Sequence, residues 1–195
     1  MKKIFQLICL FLVISCSNKK NNSEKELSHE VVEKDIYFAI NMVLNDMEKT
    51  EMMEGNKDPY LVDKLLMPSY IDENRVLKKR IDSIYSGDFS FINTQLNQWK
   101  DLKLIQDSIK FKKLISSDLL KNMINQNAED RKSAFIVNYQ KKFGKKYFYR
   151  LSIPIFSRDK KIFLVDINFL NGGGSYIYKW KKNKWIHYQI SDWSS

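Results

Sequence analysis

The spacing of apolar residues along the first third of the chain predicts a long amphipathic helix. Between about residues 24 and 54, apolar side chains recur at steps of three and four, which gives a helix one buried face and one wet face. We expect Gly55 to end this helix. Its apolar face would be formed by Val32, Ile36, Ala39, Ile40, Val43, Leu44 and Met47.

Two further helices are predicted after the first. Asp58-Pro59 is typical of an N-cap followed by proline at the first helical position. A third helix is expected between Ser69 and Gly87, with Asp72 near its start. The inward-facing residues of the second helix would be Leu61, Leu65 and Leu66.

The middle of the chain has a weaker pattern. Residues 89–109 mix aromatic and polar side chains without a clean period, whereas residues 109–112 alternate as a short strand would. A helix through residue 124 is expected behind a serine N-cap, which either Ser116 or Ser117 could supply. Another helix is predicted over residues 128–143, ending at Gly144.

The last quarter of the chain changes from helical to strand character. It is rich in aromatic and β-branched residues, and polar turns separate the segments. We expect Gly172-Gly173-Gly174 to break the chain between two of these strands. The fold class predicted is α+β, with N-terminal helices packed on a C-terminal antiparallel four-stranded β-meander. The four strands would cover residues 147–156, 162–170, 175–181 and 184–190.

Alternation within these strands predicts their faces. In the second strand, the odd-numbered residues from Phe163 to Phe169 should lie against the helices, and Leu164, Asp166 and Asn168 should be partly wet.

The last hairpin carries an aromatic and polar row. If it turns at Asn183-Lys184, Trp180 faces His187, Tyr178 faces Gln189, and Ile177 faces Ile190 on the other side. Cross-strand aromatic pairs commonly stabilise sheets, so a structural role is the default for this row. The residues that we single out as a candidate binding face are Asp166, Tyr176, Tyr178, Trp180 and His187.

The first residues of the chain have the pattern of an export signal. Lys2 and Lys3 precede an apolar stretch over residues 4–14 that is too short to span a bilayer. It ends at Val13-Ile14-Ser15-Cys16, an aliphatic residue, a permissive position, a small residue and a cysteine. We expect cleavage between Ser15 and Cys16, followed by lipidation of Cys16. An ordinary secretory signal, or a packed N-terminal helix, is the alternative.

Several of these segments carry a family resemblance. The chain resembles a group of small, functionally uncharacterised envelope lipoproteins of Gram-negative bacteria. Val13-Ile14-Ser15-Cys16 matches the lipobox of such proteins, the short motif that ends at the lipidated cysteine. The other matching segments are Ser152 to Ser157, Asp159-Lys160-Lys161, the glycines at 172–174, Tyr178 and Asn183-Lys184-Trp185. The resemblance covers residues 105–195 and the lipobox. It implies architecture and no activity. This chain lacks the glycine common at the group's last turn and the cysteines often found around its glycine-rich loop.

The expected processing defines the domains. Residues 1–15 would be the signal peptide, 16–30 the lipidated cysteine and a polar tether, and 31–195 a single α+β domain. Ser17, rather than Asp, follows Cys16, which under the Gram-negative sorting rule favours the outer membrane and its periplasmic side. Cleavage would also remove Cys9, so the mature chain could form no internal disulfide and no zinc–thiolate site.

The charge of the chain favours anionic partners. Its formal charge of +10 falls to +8 when Lys2 and Lys3 are removed, which suits headgroups, wall polymers or another anionic envelope component. An export signal makes nucleic acid an unexpected partner. The lysines are scattered, however, and a merely solvated surface is the simpler interpretation.

No residue pattern predicts catalysis, a metal or a cofactor. Gly172–Gly174 lack the lysine and the helix of a phosphate loop. Of the two histidines, His29 lies near the tether, and His187 could pair with Asp166 only if their strands adjoin. The main hypothesis is a non-enzymatic module that binds a protein, a peptide or an anionic envelope component. A periplasmic hydrolase-like enzyme around Asp166, Tyr178 and His187, and an immunity-type protein against an envelope toxin, are the alternatives.

Overall fold

The computed structural model describes residues 30–49, 59–69, 85, 88–124, 128–170 and 172–194. The expected signal peptide, Cys16 and nearly all of the tether lie outside these residues. So do the predicted helix stop at Gly55, His29, and the interior of the predicted third helix with Asp72.

One mixed sheet organises the chain. Its seven strands run in the order β2-β1-β3-β5-β6-β7, and β4 pairs with β5 beside this path. Strand β1 is parallel to both β2 and β3, and all other pairs are antiparallel. The strands are β1 (Tyr60–Val62), β2 (Lys113–Ile115), β3 (Phe148–Leu151), β4 (Ile155–Phe156), β5 (Ile162–Phe169), β6 (Gly172–Lys181) and β7 (Lys184–Ser194). The helices are α1 (Glu33–Lys49), α2 (Phe89–Trp99), α3 (Ser117–Asn122) and α4 (Arg131–Phe143), with a 3₁₀ turn at Gln106–Ser108.

The α+β class is confirmed, but the sheet is larger than four strands and is not purely antiparallel. The helix predicted from Asp58-Pro59 is wrong, because Pro59 leads into the buried strand β1 instead. The strand predicted at residues 109–112 is also wrong, since pairing begins only at Lys113. Such short buried strands carry no periodicity of their own. They are defined by their neighbours in the sheet.

Helix α1 confirms the first predicted helix over Glu33–Lys49. Its six residues from Ile36 to Met47 on the predicted apolar face are buried. The predicted start near residue 24 is wrong, because residues 30–32 are not helical. The Asp35 carboxylate accepts a hydrogen bond from the Val32 amide at 3.0 Å and closes the turn before the helix. Val32 remains 44% exposed.

The caps of the shorter helices follow the sequence well. Ser116, the first of the two candidates, caps α3, and Gly144 follows α4 as predicted. Asp130 caps the start of α4 by accepting from the Ser133 amide at 3.0 Å. Helix α2 was not predicted, although Asp88 caps it in the same way through the Phe91 amide.

The predicted break at Gly172–Gly174 is wrong, because these glycines are the first three residues of β6 and pair with both β5 and β7. A side chain at Gly173 would place its Cβ 2.5 Å from the Ile167 carbonyl oxygen and 2.7 Å from the Trp193 ring. Glycine is therefore required by close packing within the sheet and by the indole of Trp193 lying over it.

The sheet is buried on both faces along much of β5. Phe163, Val165 and Ile167 are buried as predicted, but Phe169 at the strand end is 40% exposed. The expectation of a partly wet opposite face is wrong for Leu164 and Asp166, which are 0% and 1% exposed, whereas it holds for Asn168, which is half-buried. We call the face that carries Phe163 and Tyr178 the helix face. The face that carries Asp166 and Ser175 is the serine face.

Helix α1 packs on the helix face. The ring of Phe38 lies 6.0 Å from that of Trp185, and Asp46 contacts His187. At the other end of the sheet, a second apolar cluster joins strands β1 to β3 to helices α3 and α4. That cluster is formed by Val62, Ile115, Leu120, Met123, Tyr139 and Phe148.

Candidate functional site

The hairpin of β6 and β7 fixes the positions of four of the five candidate residues. Its turn lies at Lys182-Asn183, where both residues have positive φ (47° and 61°), as a two-residue type I′ turn requires. The register predicted from a turn at Asn183-Lys184 is therefore wrong. Trp180 pairs with Trp185, Tyr178 with His187 and Tyr176 with Gln189.

The four hairpin residues share the helix face, but their exposure divides them. Tyr176 and Tyr178 are buried, at 7% and 2% exposed. Burial is the main cause that raises the pKa of each phenol above its ordinary value. Trp180, at 40% exposed, and the His187 side chain, at 36%, remain accessible. Only half of the predicted row is thus available to a partner.

His187 lies between the sheet and helix α1. Its Nδ1 lies 3.2 Å from the Asp46 carboxylate, and its ring centre lies 5.3 Å from that of Tyr178. The contact is an ion pair only when the imidazole is protonated. Asp46 was not predicted as a site residue, and no short-range pattern could have paired it with a residue so distant in the chain.

Asp166 occupies the opposite face of the sheet from His187, with β6 between their strands. The proposed acid–base pair of these two residues is therefore not formed. Asp166 instead accepts hydrogen bonds from the Ser69 amide at 2.6 Å, the Ser69 hydroxyl at 2.8 Å and the Ser175 hydroxyl at 2.6 Å. These bonds tie the segment after β1 to the centre of the sheet.

Burial raises the pKa of the Asp166 carboxyl, while the three hydrogen bonds act in the opposite direction. The backbone amide of Asp166 donates to the Ser152 hydroxyl at 2.8 Å, so the main chain is also held by a serine. No histidine is among these partners, and a serine bonded only to a buried carboxylate is not an activated nucleophile. The geometry is that of a structural polar cross-link.

Two surface cavities lie away from these residues. One, of about 110 Å³, lies where α4 meets the start of β3. The other is an open groove of about 540 Å³ beside the Asp88–Arg158 ion pair. Neither is lined by Asp166, Tyr178 or His187. The first is lined by Phe135, Ile136, Tyr139, Gln140, Lys145, Lys146, Tyr147, Phe148 and Leu170, and the second by Tyr85, Asp88, Phe91, Ser157, Arg158, Asp159 and Ile162.

Within the described part of the chain, no group of three histidine, cysteine or acidic side chains is placed to hold a metal ion. In the same residues, no helix is long and apolar enough to cross a membrane. The chain matches no protein-family model, no curated protein and no solved structure.

Proposed function

We propose that this chain is a lipid-anchored bacterial envelope lipoprotein whose folded domain is a non-enzymatic binding module. The main support for the anchor is the sequence Val13-Ile14-Ser15-Cys16 at the end of the apolar segment, which itself follows Lys2 and Lys3. A diacylglyceryl group on Cys16, with further acylation, would hold the domain at the membrane for long periods, because two or more chains are needed for stable anchoring.

The state of the candidate catalytic groups favours binding over catalysis. Asp166 and Tyr178 are buried and are engaged in holding the fold together. His187, the histidine within the described part of the chain, has a carboxylate partner, and no serine or threonine hydroxyl there forms a hydrogen bond with its ring. A hydrolase with a serine or threonine nucleophile would need such a pair of hydroxyl and base within hydrogen-bonding reach.

The proposed location is the outer membrane, on its periplasmic side. This follows from Ser17, since an aspartate after the lipidated cysteine is the residue that retains Gram-negative lipoproteins at the inner membrane. The proposed partners are the membrane, through the lipid on Cys16, and a protein, peptide or anionic envelope component at the domain surface. No cofactor is part of the proposal.

The anchor is tested by labelling growing cells with a palmitate analogue. Wild type should incorporate the label and Cys16→Ala should lose it. Cys9→Ala is a matched control, because Cys9 lies within the segment that is cleaved and its loss should leave labelling unchanged. Equal labelling of wild type and Cys16→Ala would rule out lipidation at this residue.

A further inference from the structure

One end of the sheet is strongly basic. The turn between β4 and β5 and the turn of the last hairpin lie side by side there, because the Trp180 amide donates to the Lys161 carbonyl oxygen at 2.7 Å. We call this surface the basic end and define it as Trp180 with five lysines. The lysines are Lys161, Lys179, Lys181, Lys182 and Lys184.

The lysines of the basic end have no ion-pair partner within the described residues, whereas the neighbouring Lys160 pairs with Asp35 at 2.7 Å. Asp159 interacts electrostatically with Lys161 and is the one acidic side chain that does so with a lysine of this end among those residues. Lys181 and Lys184 are directly opposite each other on β6 and β7. Like charges in that arrangement repel and destabilise a sheet, so an anionic surface brought against this end would relieve the repulsion.

An aromatic side chain stands among these lysines. Trp180 is 40% exposed and packs edge-on against Trp185, with 5.7 Å between ring centres. Phe38 of α1, 47% exposed, lies next to Trp185. Tryptophan beside lysine is the combination that favours the headgroup region of a bilayer, where the indole is partly apolar and partly hydrogen-bonded.

The chain enters the domain beside this same end. Asp35, in the first turn of α1, pairs with Lys160, and Phe38 one turn later contacts Trp185. The described part of the chain therefore begins beside the basic end. The 15 residues from 16 to 30 connect this point to the proposed lipid on Cys16. The relevance of this entry point rests on the proposed lipid anchor, whereas the charge of the lysines and the exposure of Trp180 are independent of it.

We propose that the basic end docks on the surface of an anionic phospholipid bilayer, so that the tethered domain lies against the membrane with the hairpin of β6 and β7 facing it. The bound headgroups carry phosphate, for which lysine ammonium groups are common partners. Each lysine brought to such a surface strengthens binding roughly fivefold at low salt, and three lysines together about a hundredfold. The opposite end of the domain then remains free for another partner.

The test uses the full lipidated protein reconstituted in vesicles of phosphatidylcholine, with or without about one third phosphatidylglycerol. Lipids with a quencher near the headgroup report how close tryptophan lies to the bilayer. The chain has four tryptophans, so the contribution of Trp180 is the difference between wild type and Trp180→Phe. We expect that contribution to be quenched at least threefold more in anionic vesicles than in neutral ones, and to fall at high salt.

Two triple variants distinguish binding through the basic end from binding through the overall positive charge of the protein. Lys181→Gln, Lys182→Gln and Lys184→Gln together should abolish the extra quenching. The same change at Lys141, Lys142 and Lys145, near the opposite end of the sheet, removes equal charge and should leave it intact. Equal quenching in neutral and anionic vesicles, or loss only in the second variant, would overturn the proposal.

Failure of the anchor is recognised separately. The mass of the purified protein shows whether Cys16 carries lipid. A protein without lipid that nevertheless binds anionic vesicles through the basic end would refute the anchor and retain the docking surface. A lipidated protein whose Trp180 is never quenched would refute the docking surface and retain the anchor.

Discussion

His187 on the last strand and Asp46 on the first helix form a side-chain contact between the two ends of the described chain, with 3.2 Å between imidazole Nδ1 and carboxylate. The contact lies over the buried ring of Tyr178. It closes helix α1 onto the helix face of the sheet. Both side chains are partly exposed, at 36% and 25%, so the pair contributes to stability and is also open to solvent.

Replacing Asp46 by Ala should therefore lower the free energy of unfolding by about 1–3 kcal/mol, because it removes the contact with His187 and also the carboxylate partner of the buried Tyr178 hydroxyl. Urea denaturation measures the change. Asp101→Ala is a suitable control, because Asp101 is exposed on the surface after α2 and its replacement should change the unfolding free energy by less than about 0.5 kcal/mol. A loss in Asp46→Ala no larger than in the control would contradict the role given to this contact.

The buried Asp166 makes a pH-dependent contribution. Because burial raises its pKa in the folded protein above the ordinary value, the folded state binds the proton more readily than the unfolded state. Its stabilising contribution is then fully present below the pKa of the unfolded chain, about 4, and is lost as the pH rises through the pKa of the folded protein.

We expect the unfolding free energy of wild type, relative to Asp166→Asn, to be largest at about pH 3–4 and to decrease as the pH rises. Denaturation series at several pH values measure this difference directly. A difference that grows with increasing pH would mean that the hydrogen bonds from Ser69 and Ser175 outweigh burial, with the opposite sign of the pKa shift.

Two buried tyrosines offer a matched comparison. Burial raises the pKa of Tyr139 to about 12, and its hydroxyl has no hydrogen-bond partner among the described residues. The Tyr85 hydroxyl donates to the Ile155 carbonyl oxygen at 2.7 Å. Tyr139→Phe should leave the unfolding free energy unchanged or raise it by up to about 1 kcal/mol, whereas Tyr85→Phe should lower it by about 1–2 kcal/mol. Equal losses in both variants would show that Tyr139 has a partner.

The glycines of β6 differ in the space around them. At Gly173 an added Cβ would meet the backbone oxygen of Ile167 at 2.5 Å, whereas at Gly174 its nearest contact would be the Ser191 oxygen at 3.0 Å. We expect Gly173→Ala to cost about 2–4 kcal/mol and Gly174→Ala clearly less. Thermal unfolding of the two variants checks the order, and a smaller loss at Gly173 would contradict the packing described for Trp193.

The parts of the fold that are determined by residues close together in the chain could be predicted from the sequence. The apolar face of α1, the serine cap of α3, the glycine after α4 and the strand character of the last quarter all follow from neighbouring residues. Strand β1 could not be predicted, because three residues preceded by a proline form a strand only when β2 and β3 lie on either side.

Several features of the candidate site could not be predicted for the same reason. Alternation placed Tyr176, Tyr178 and Trp180 on one face correctly, but it could not show that the first two would be buried. The hairpin register depended on which two residues adopt positive φ, and here they are a lysine and an asparagine without the usual glycine. The environment of Asp166 depended on Ser69, far away in the chain.

The most direct test of the central claim is the mass of the N-terminal peptide of the mature protein isolated from membranes. The lipoprotein account predicts a peptide that begins at Cys16 and carries the mass of a diacylglyceryl group with an additional acyl chain or a free amine. A mature N-terminus at any other residue, or an unmodified Cys16, would contradict it.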